Sequence, residues 1–414
     1  MTHSRTSTYD GSGDERSAIR VSDGQALTST LDIVVQPLSS LLSARGISAR
    51  VFVGEISWVI GDNASFDARN CVNLVFKSRR TFERLCRTPR LIEFAKAFID
   101  GEVDCDGDIW QAVGVFDALR DRRQTRSERI LEALYSGLVC VPWVGTLLGR
   151  SLTHYELNAD AYELFLDRHM QYTCGYFKNS EMSIDEAQEA KFHLIRDQVG
   201  LIAGSQHLDV GCGWGGLAGY FQREFGARSI GITNCASQAR YARERFEVDS
   251  VLADFSALKD FADKFDLITI VGMIEHLRPG QQSNLFQTLS RLLKAGGQVY
   301  LQCIVRAPSW VGGDGSRFLQ RNVFPGYFID DASKLEVRLQ TAGYSIVKKM
   351  EHSEHYGYTA ARWAERIQSN QIAVRSLIGD REYRVFLGYL AMASKIFHDR
   401  RGCLMRYVLA RRVQ

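Results

Sequence analysis

The spacing of hydrophobic and polar positions changes about one third of the way along the chain. Residues 47–76 alternate apolar and polar side chains around turn-forming positions, which predicts a few antiparallel strands. Helical spacing follows over residues 79–99 and 108–137. We therefore predict a small α+β domain over residues 26–140. The preceding residues 1–25 are rich in Ser, Thr, Gly and Asp, which favours a disordered tail.

Beyond residue 141, short apolar runs alternate with amphipathic helical segments. The runs are QHLDVG, ARSIGIT, VDSVLAD, FDLITIVG and GGQVYLQCIV. Such alternation is typical of parallel strands that are joined by crossover helices. The sequence therefore predicts a doubly wound α/β sheet over residues 141–414.

Composition sets broad limits on the function. The 414 residues carry a net charge of +3, which is too small to indicate nucleic-acid binding by itself. Nine cysteines are spaced singly, which favours neither a disulfide framework nor a zinc site. The polar N-terminal segment lacks the apolar centre of a secretory signal, and no apolar run is long enough to span a membrane. We expect a cytoplasmic protein without a metal and without a nucleic-acid partner.

Basic residues cluster in three segments, residues 77–90, 120–129 and 398–412. A solvated helix face is the ordinary interpretation of any one such segment. Because apolar and aromatic residues are interleaved with the basic ones, peripheral contact with anionic lipid is the alternative.

An acidic stretch, GEVDCDGD at residues 101–108, looks like half of a calcium-binding loop. A complete loop of the EF-hand type ends in a glutamate at its twelfth position, and Ala112 stands there instead. The stretch therefore predicts a polar turn rather than a calcium site.

A glycine-rich loop follows the first apolar run of the predicted sheet. It reads DVGCGWGG, and it leads into a helical segment. In open α/β sheets, ligands bind beyond the carboxyl ends of the strands, often at such a loop. Gly211 and Gly213 would let the backbone approach a ligand closely. A tight turn without a ligand is the alternative, because a glycine pattern alone is weak evidence.

The ends of the next strands narrow the choice of ligand. A dinucleotide site favours an acidic residue at the tip of the second strand, but the sequence there is GITNCASQ. An acid and an aromatic residue, Asp254 and Phe255, follow the third strand instead and would bracket an adenine. The fourth strand is followed by GMIEH. This order resembles that of S-adenosylmethionine-dependent methyltransferases.

A segment upstream makes the resemblance more specific. HYELNADAYELFLDRHMQYTCGYFKN, at residues 154–179, resembles the entry segment of cyclopropane-fatty-acyl-phospholipid synthases and mycolic acid cyclopropane synthases. DEAQEAKFHLI, LDVGCGWGGLA, GMIEH, NVFPGYF and HYGYTAARW then follow in the order of that family. The resemblance covers residues 154–410 strongly and 47–115 more loosely. It implies a Rossmann-like methyltransferase sheet with a small α+β N-terminal domain.

The resemblance also implies two sets of site residues. The positions that would bind S-adenosylmethionine are Tyr172, Thr173, Asp209, Gly211, Gly213, Thr233, Asn234, Gln238, Asp254, Phe255 and Gly272. The positions that would hold a bicarbonate ion beside the reacting carbon are Cys174, Glu275, Gln302, Ile304 and Tyr356. Gln302 departs from the family, which has histidine there. An amide still donates a hydrogen bond to an anion, but it cannot carry a proton away.

The implied reaction adds a carbon to the cis double bond of an unsaturated fatty acyl chain. The double bond is a poor nucleophile, so the protein must align it in a dry, apolar slot. Methyl transfer leaves a carbocation, which aromatic rings stabilise by cation–π attraction. The candidate rings are Tyr176, Phe177, Tyr327, Phe328 and Tyr356. Loss of a proton to bicarbonate then closes a cyclopropane ring.

Gln302 keeps a second product open. If the proton is lost slowly or from another carbon, the product is a methyl or methylene branch instead of a ring. The resemblance further implies phospholipid acyl chains as substrates, peripheral contact with the inner face of the membrane, and a homodimer. A small-metabolite methyltransferase would have little use for the N-terminal domain. A non-catalytic lipid-binding protein would not retain both the glycine loop and Glu275.

Overall fold

Two sheets organise the chain. The computed structural model describes residues 25–61, 72–106, 109–120, 127, 159–254, 263–308, 322–324 and 326–412. Within these residues the first sheet has four strands and the second has seven. The predicted tail lies almost entirely outside the described residues, and so do the predicted domain boundary at 140 and most of the basic segment 120–129.

The four-stranded sheet lies in the N-terminal part. Helix α1 (Gln25–Ser43) precedes it, and its strands are β1 (Ser48–Val53), β2 (Ile56–Gly61), β3 (Val72–Phe76) and β4 (Val103–Asp106), in the order β2-β1-β3-β4. The expectation of antiparallel strands over residues 47–76 is correct for β1–β2 but wrong for β1–β3, which is parallel. Strand β4 lies outside that range and pairs antiparallel with β3. Strand β3 pairs with the edge of β1 that lies opposite β2. Apolar alternation indicates which face of a strand is buried, but not its direction.

Three helices complete the N-terminal part: α2 (Arg79–Arg87), α3 (Leu91–Ile99) and α4 (Ile109–Arg120). The helical pattern over residues 79–99 is interrupted because Pro89 disfavours a helical conformation at the residue before it. The prediction of a turn over 101–108 is wrong for residues 103–106. These residues form β4, because Val103 is buried and the backbone pairs with β3.

The seven-stranded sheet confirms the predicted doubly wound α/β fold. Its parallel strands are β5 (Gln206–Val210), β6 (Arg228–Thr233), β7 (Asp249–Leu252), β8 (Phe265–Val271) and β9 (Leu293–Arg306). Two antiparallel strands follow, β10 (Tyr344–Glu351) and β11 (Gly402–Arg411), in the sheet order β10-β11-β9-β8-β5-β6-β7. The interpretation of residues 398–412 as a solvated helix face is therefore wrong, because most of β11 is buried.

Helices cover both faces of this sheet. Helices α5 (Ala159–Glu163) and α6 (Ile184–Val199) precede β5. The helices between later strands are α7 (Gly216–Phe225), α8 (Ala236–Phe246), α9 (Pro279–Leu292) and α10 (Ala332–Thr341). A capping box starts α6: the Ser183 hydroxyl accepts from the Glu186 backbone, and the Glu186 carboxylate accepts from the Ser183 backbone.

Three helices connect β10 to β11 along the chain, although the two strands are neighbours in the sheet. They are α11 (Ser353–Ser369), α12 (Gln371–Ile378) and α13 (Asp380–His398). Helix α13 packs on α11 and also on α3 and α4, so one buried apolar cluster contains side chains from both parts of the chain. None of the described helices is long and apolar enough to cross a membrane.

Candidate active site

Two pockets meet at the carboxyl ends of the parallel strands. The first, the polar pocket, has a volume of about 1770 Å³ and is bordered by the glycine-rich loop after β5 and the ends of β6, β7 and β8. The second, the apolar pocket, has a volume of about 1140 Å³ and lies between β9 and α13. Both pockets are lined by Tyr172, Thr173, Gly272, His276 and Phe324. Ligands held in the two pockets can therefore touch.

The glycine-rich loop gives the polar pocket its open floor. Gly211 and Gly213 both have positive φ angles, 77° and 54°, which glycine adopts without strain. A Cβ atom at Gly211 would lie 2.6 Å from Cγ of Met273, whereas one at Gly213 would meet nothing within 4 Å. The backbone at Gly213 is thus free to approach a ligand, and the loop leads directly into α7.

Asp209 lies at the end of β5, in the wall of the polar pocket. Its Oδ1 accepts a hydrogen bond from the Thr269 hydroxyl at 2.7 Å, and burial raises its pKa to about 6. Thr269 also contacts His207 Nε2 at 2.8 Å, and His207 Nδ1 contacts the Ser229 hydroxyl at 2.9 Å. Burial lowers the pKa of His207 to about 3, so the imidazole that connects these hydrogen bonds is neutral. The sequence analysis did not identify His207.

Other predicted cofactor residues border the same pocket. The Thr233 hydroxyl donates to Gln238 Oε1 at 2.8 Å, which joins the end of β6 to the start of α8. Asn234 and Asp254 line the pocket and are exposed. Phe255 lies outside the described residues, so its predicted role stays a prediction.

A buried lysine supports the segment that separates the two pockets. Lys191 on α6 is fully buried and donates from Nζ to Thr173 Oγ1 and to Gln171 Oε1, each at 2.9 Å. Gln188, one turn earlier, donates to the Thr173 carbonyl at 2.7 Å. Burial lowers the pKa of Lys191. Periodicity places Lys191 on α6 but gives no sign that it turns inward.

All the residues predicted to hold bicarbonate line the apolar pocket; they are Cys174, Glu275, Gln302, Ile304 and Tyr356. Much of the remaining wall is apolar. One face of α13 supplies Tyr389, Met392, Ala393, Ile396 and Phe397. The sequence analysis missed this face, because helical spacing alone does not show where the apolar side of a helix packs.

Glu275 brings a carboxylate into these apolar surroundings. It lies in a short 3₁₀ turn, Ile274–His276, after β8. Its Oε1 accepts from the Ile304 backbone at 2.7 Å, whereas its buried Oε2 has no hydrogen-bond partner among the described residues. Burial raises the pKa of Glu275 to about 7. The second oxygen can thus accept a proton or bind a donor near neutral pH.

Cys174 and Gln302 are joined at the inner end of the apolar pocket. The Gln302 amide donates to the Cys174 carbonyl at 3.3 Å, and its Oε1 accepts from Arg406 Nε at 2.8 Å. Burial raises the pKa of the Cys174 thiol to about 11, so the thiol is protonated at neutral pH and is a poor nucleophile.

The aromatic lining differs in part from the sequence prediction. Tyr327 and Tyr356 line the apolar pocket as expected, but Tyr176, Phe177 and Phe328 do not. Tyr176 stacks on His355 with ring centroids 4.9 Å apart, and Phe177 packs on Tyr358 at 5.4 Å. The rings that line the pocket without having been expected are Phe324, Tyr389 and Phe397.

Comparisons with known proteins identify the family and the fold of this chain. Residues 149–406 match the family model of mycolic acid cyclopropane synthetase. A probable fatty acid methyltransferase of Pseudomonas putida is 28% identical over 75% of this chain and 79% of its own length. The cyclopropane-fatty-acyl-phospholipid synthase of Escherichia coli K12 is 30% identical over 63% of this chain and 67% of its own length. The crystal structure of the mycolic acid cyclopropane synthase CmaA1 with SAH and CTAB superposes with a TM-score of 0.57, at 24% identity, over 62% of this chain and 95% of that one.

Proposed function

Because this chain belongs to the mycolic acid cyclopropane synthetase family, we propose that it adds one carbon to the cis double bond of an unsaturated phospholipid acyl chain, forming a cyclopropane ring. The chain is an S-adenosylmethionine-dependent C-methyltransferase. The more specific proposal rests on one observation. The polar pocket opens into an apolar pocket whose wall holds the buried carboxylate of Glu275, and its Oε2 has no hydrogen-bond partner among the described residues.

The polar pocket fits S-adenosylmethionine by its donor set. Asp209 and the open backbone at Gly213 would hold the amino-acid end, and Asp254 would accept from the adenine amino group. The sulfonium of the bound cofactor supplies an electrophilic methyl group. Thr173 and Gly272 lie where the two pockets meet, so the cofactor would deliver its methyl group to the apolar side.

The apolar pocket supplies alignment and exclusion of water. Aliphatic side chains of α13 and β9 would hold an acyl chain extended along the wall, which fixes the double bond in one position. A carbocation that forms on the acyl chain needs electron-rich neighbours in place of water. Tyr327 and Tyr356 line this pocket, and Tyr172 and Phe324 line both pockets, so these rings are the candidates.

The last step removes a proton from the new carbon. A bicarbonate ion would supply the base, held by Oε2 of Glu275 and by the amide of Gln302. The hydroxyl of bicarbonate can donate to Glu275 Oε2, and its oxygens can accept from an amide N–H. The Glu275 pKa of about 7 leaves part of this carboxylate ionised near neutral pH, so its Oε2 can accept the hydrogen bond from bicarbonate.

A methyl- or methylene-branching reaction is the second candidate. Gln302 favours it, because an amide cannot relay a proton from the base. The relative from Pseudomonas putida, described as a probable fatty acid methyltransferase, also supports it. Slower proton loss would let a hydride shift compete with ring closure. The small-metabolite alternative gains no support from a pocket lined by so many aliphatic and aromatic side chains.

We also propose phospholipids as the form of the substrate and an anionic membrane surface as the place of reaction. Helix α2 supports this proposal, because its arginines lie on an exposed face. The homodimer and the cytoplasmic location stay predictions from the family resemblance and the composition.

The test is expression in a bacterium that lacks its own cyclopropane synthase and is fed methyl-deuterated methionine. Gas chromatography–mass spectrometry of the fatty acid methyl esters then counts the deuterium on the added carbon. A ring that retains two deuterium atoms is the expected result. Three retained atoms would identify a methyl branch, and two with an exocyclic double bond a methylene branch.

A variant of the proposed site serves as the control in the same experiment. Glu275→Gln, expressed to the same level, should yield little of the new fatty acid, because it removes the carboxylate from the apolar pocket. The absence of any added carbon from the unmodified protein, despite good expression and measurable cofactor binding, would contradict the phospholipid substrate. The small-metabolite reaction would then become the leading proposal.

A further inference from the structure

A buried arginine lies behind the inner wall of the apolar pocket. Arg406 is in the middle of β11, and its side chain is 0% exposed. It pairs in register with Gln302 on the neighbouring strand β9. Side chains of directly paired residues point to the same face of a sheet, so both face the segment that carries Cys174 and Gly175.

The guanidinium of Arg406 contacts neutral groups. Nε donates to Gln302 Oε1 at 2.8 Å, Nη2 donates to the Gly175 carbonyl at 2.8 Å, and Nη1 lies 2.9 Å from His352 Nδ1. The ring of Tyr176 lies under the guanidinium at 5.4 Å. Among the described residues, no carboxylate forms an ion pair with Arg406.

A buried cation without a counter-ion is costly, because water no longer solvates it. Arginine does not escape that cost by losing its proton, since its guanidinium stays charged in proteins. The carbonyl and amide oxygens around Arg406 offset part of the cost. The remaining positive potential extends toward the wall of the apolar pocket that Gln302 and Cys174 form.

Arg406 also fixes which way the Gln302 amide points. Arg406 Nε can only donate, so the atom that faces it must be the amide oxygen of Gln302. The NH₂ group is therefore at the other end, where it donates to the Cys174 carbonyl and borders the pocket. Gln302 is thus held as a donor toward the pocket.

We propose that Arg406 is a positioning residue that locks Gln302 as a hydrogen-bond donor and supplies the positive charge with which the apolar pocket binds a small oxyanion. The pair Gln302–Arg406 would then replace the histidine that the family has at this position. The inference rests on the proposed function for the identity of the oxyanion, bicarbonate. The orientation and charge at position 302 follow from the contacts alone.

The pair explains why a protonated histidine is disfavoured at position 302 in this chain. An imidazole there would face the guanidinium of Arg406, and a protonated imidazole would be repelled by it. His352 and His355 show the effect: burial first, and Arg406 second, lower the pKa of each to about 4. The other titratable groups around Arg406 are Tyr176, Cys174, Tyr300 and Lys191. Of these, only Lys191 can be a cation, and because burial lowers its pKa to about 7, only its protonated fraction adds to the repulsion.

The test introduces the family's histidine at position 302 and then, in a second variant, also removes Arg406. In Gln302→His, ¹⁵N-histidine NMR should show a pKa for the new imidazole below the ordinary value of about 6.5. In Gln302→His with Arg406→Gln, that pKa should rise by about one pH unit or more. Gln302→His with Arg384→Gln is the matched control. It removes another buried arginine, and the pKa of the new imidazole should stay low.

A second measurement addresses the oxyanion. Arg406→Gln should raise the KM for bicarbonate about tenfold in bicarbonate-depleted buffer, with a smaller change in kcat. Arg406→Lys, which keeps the charge but cannot hold Gln302 in the same way, should recover part of this loss.

The outcomes separate the inference from the proposed function. An imidazole pKa at or above 6.5 in Gln302→His, or an equal pKa with and without Arg406, would overturn the inference even if the enzyme makes cyclopropane rings. An unchanged KM for bicarbonate in Arg406→Gln would overturn the role in oxyanion binding. If the unmodified protein adds no carbon to lipid, the NMR result still decides the role of Arg406 at position 302.

Discussion

Burial sets the protonation state of Glu275, and that state sets what the residue can do. Its pKa of about 7 leaves a large fraction ionised at neutral pH, and its Oε2 has no hydrogen-bond partner in the part of the chain that the structure describes. We expect Glu275→Gln to lower the rate of lipid modification by about 10²- to 10⁴-fold, the usual contribution of a general base or of the group that holds one. Turnover of unsaturated phospholipid vesicles measures this rate.

The matched control for that variant is Glu365→Gln, which makes the same change on a half-exposed side chain of α11. Its rate should equal that of the unmodified protein. Binding of S-adenosylmethionine by Glu275→Gln, measured by calorimetry, should also be unchanged. A rate within about twofold of the unmodified protein would remove Glu275 from the reaction.

The raised pKa of Glu275 also predicts how stability depends on pH. The folded protein holds the proton of Glu275 more tightly than the unfolded chain does, so the contribution to stability is complete below the ordinary pKa of 4.5. It is lost as the pH rises toward 7. Glutamine does not ionise, so Glu275→Gln should gain about 3 kcal/mol relative to the unmodified protein between pH 4.5 and pH 8.

Urea unfolding of both proteins across this pH range measures the difference. Comparing the two proteins cancels the contributions of Asp209 and Lys191, whose pKa values are also shifted but are common to both. A difference that does not change with pH would show that Glu275 is solvated in the folded protein.

At the scale of single residues, the sequence identifies site residues that lie within a motif, but not those that reach the site from a distant strand. Gln302 was recognised as a departure because it lies within a motif. Arg406 was not, because it reaches Gln302 across 104 residues and through pairing of two strands. In the sequence it belongs to a basic segment near the C-terminus, where arginines are ordinarily solvated. Only the sheet register shows that its side chain is buried.

At the scale of elements, burial on both faces made the parallel strands easy to predict. Strands β5, β6, β8 and β9 are short apolar runs bounded by polar residues, and all four lie in the interior of the sheet. Strand β10 carries lysines and exposed positions at the sheet edge, so its pattern is weaker. The direction of β3 relative to β1 was not predictable either, because alternation carries no information on direction.

Helix α13 is the element that gives the apolar pocket its length. Ile396 lines the pocket, so Ile396→Trp should shorten the space for an acyl chain and shift the product toward shorter chains. We expect the rate on an 18-carbon chain to fall at least about tenfold, since an added ring must displace substrate atoms. Product profiles from mixed-chain phospholipid vesicles measure the shift.

The matched control is Ile372→Trp on the neighbouring helix α12, where the isoleucine is 85% exposed. The same substitution there should leave the chain-length profile unchanged. If Ile396→Trp also leaves the profile unchanged while the protein remains folded, the acyl chain does not run along this face of α13.

At the scale of the whole molecule, the N-terminal helices and the methyltransferase part share one core. Arg384 on α13 is buried, donates to Asp104 on β4 and to the Phe98 carbonyl, and lies over the Phe98 ring at 5.4 Å. The helix that walls the apolar pocket is thus anchored to the four-stranded sheet. Sequence patterns indicated two separate units, because they carry no information on which faces of distant helices meet.

In the proposed reaction at an anionic membrane surface, the N-terminal part would provide the contact with lipid. Helix α2 exposes Arg80 and Arg87, whereas Phe82 and Leu85 are buried beneath them. An arginine near an anionic lipid surface contributes about 1 kcal/mol of binding free energy. We therefore expect Arg80→Gln with Arg87→Gln to weaken binding to phosphatidylserine-containing vesicles about thirtyfold.

Co-sedimentation with vesicles of increasing phosphatidylserine content measures this binding, and three comparisons make it specific. Arg240→Gln with Arg245→Gln removes two exposed arginines of α8 and should leave binding nearly unchanged, because α8 covers the other end of the large sheet. Vesicles of neutral lipid should bind both double variants equally.

The α2 variant should show a raised KM on anionic vesicles with kcat retained, since its apolar pocket is intact. Equal loss in both double variants would mean that net charge, rather than the face of α2, directs the enzyme to lipid.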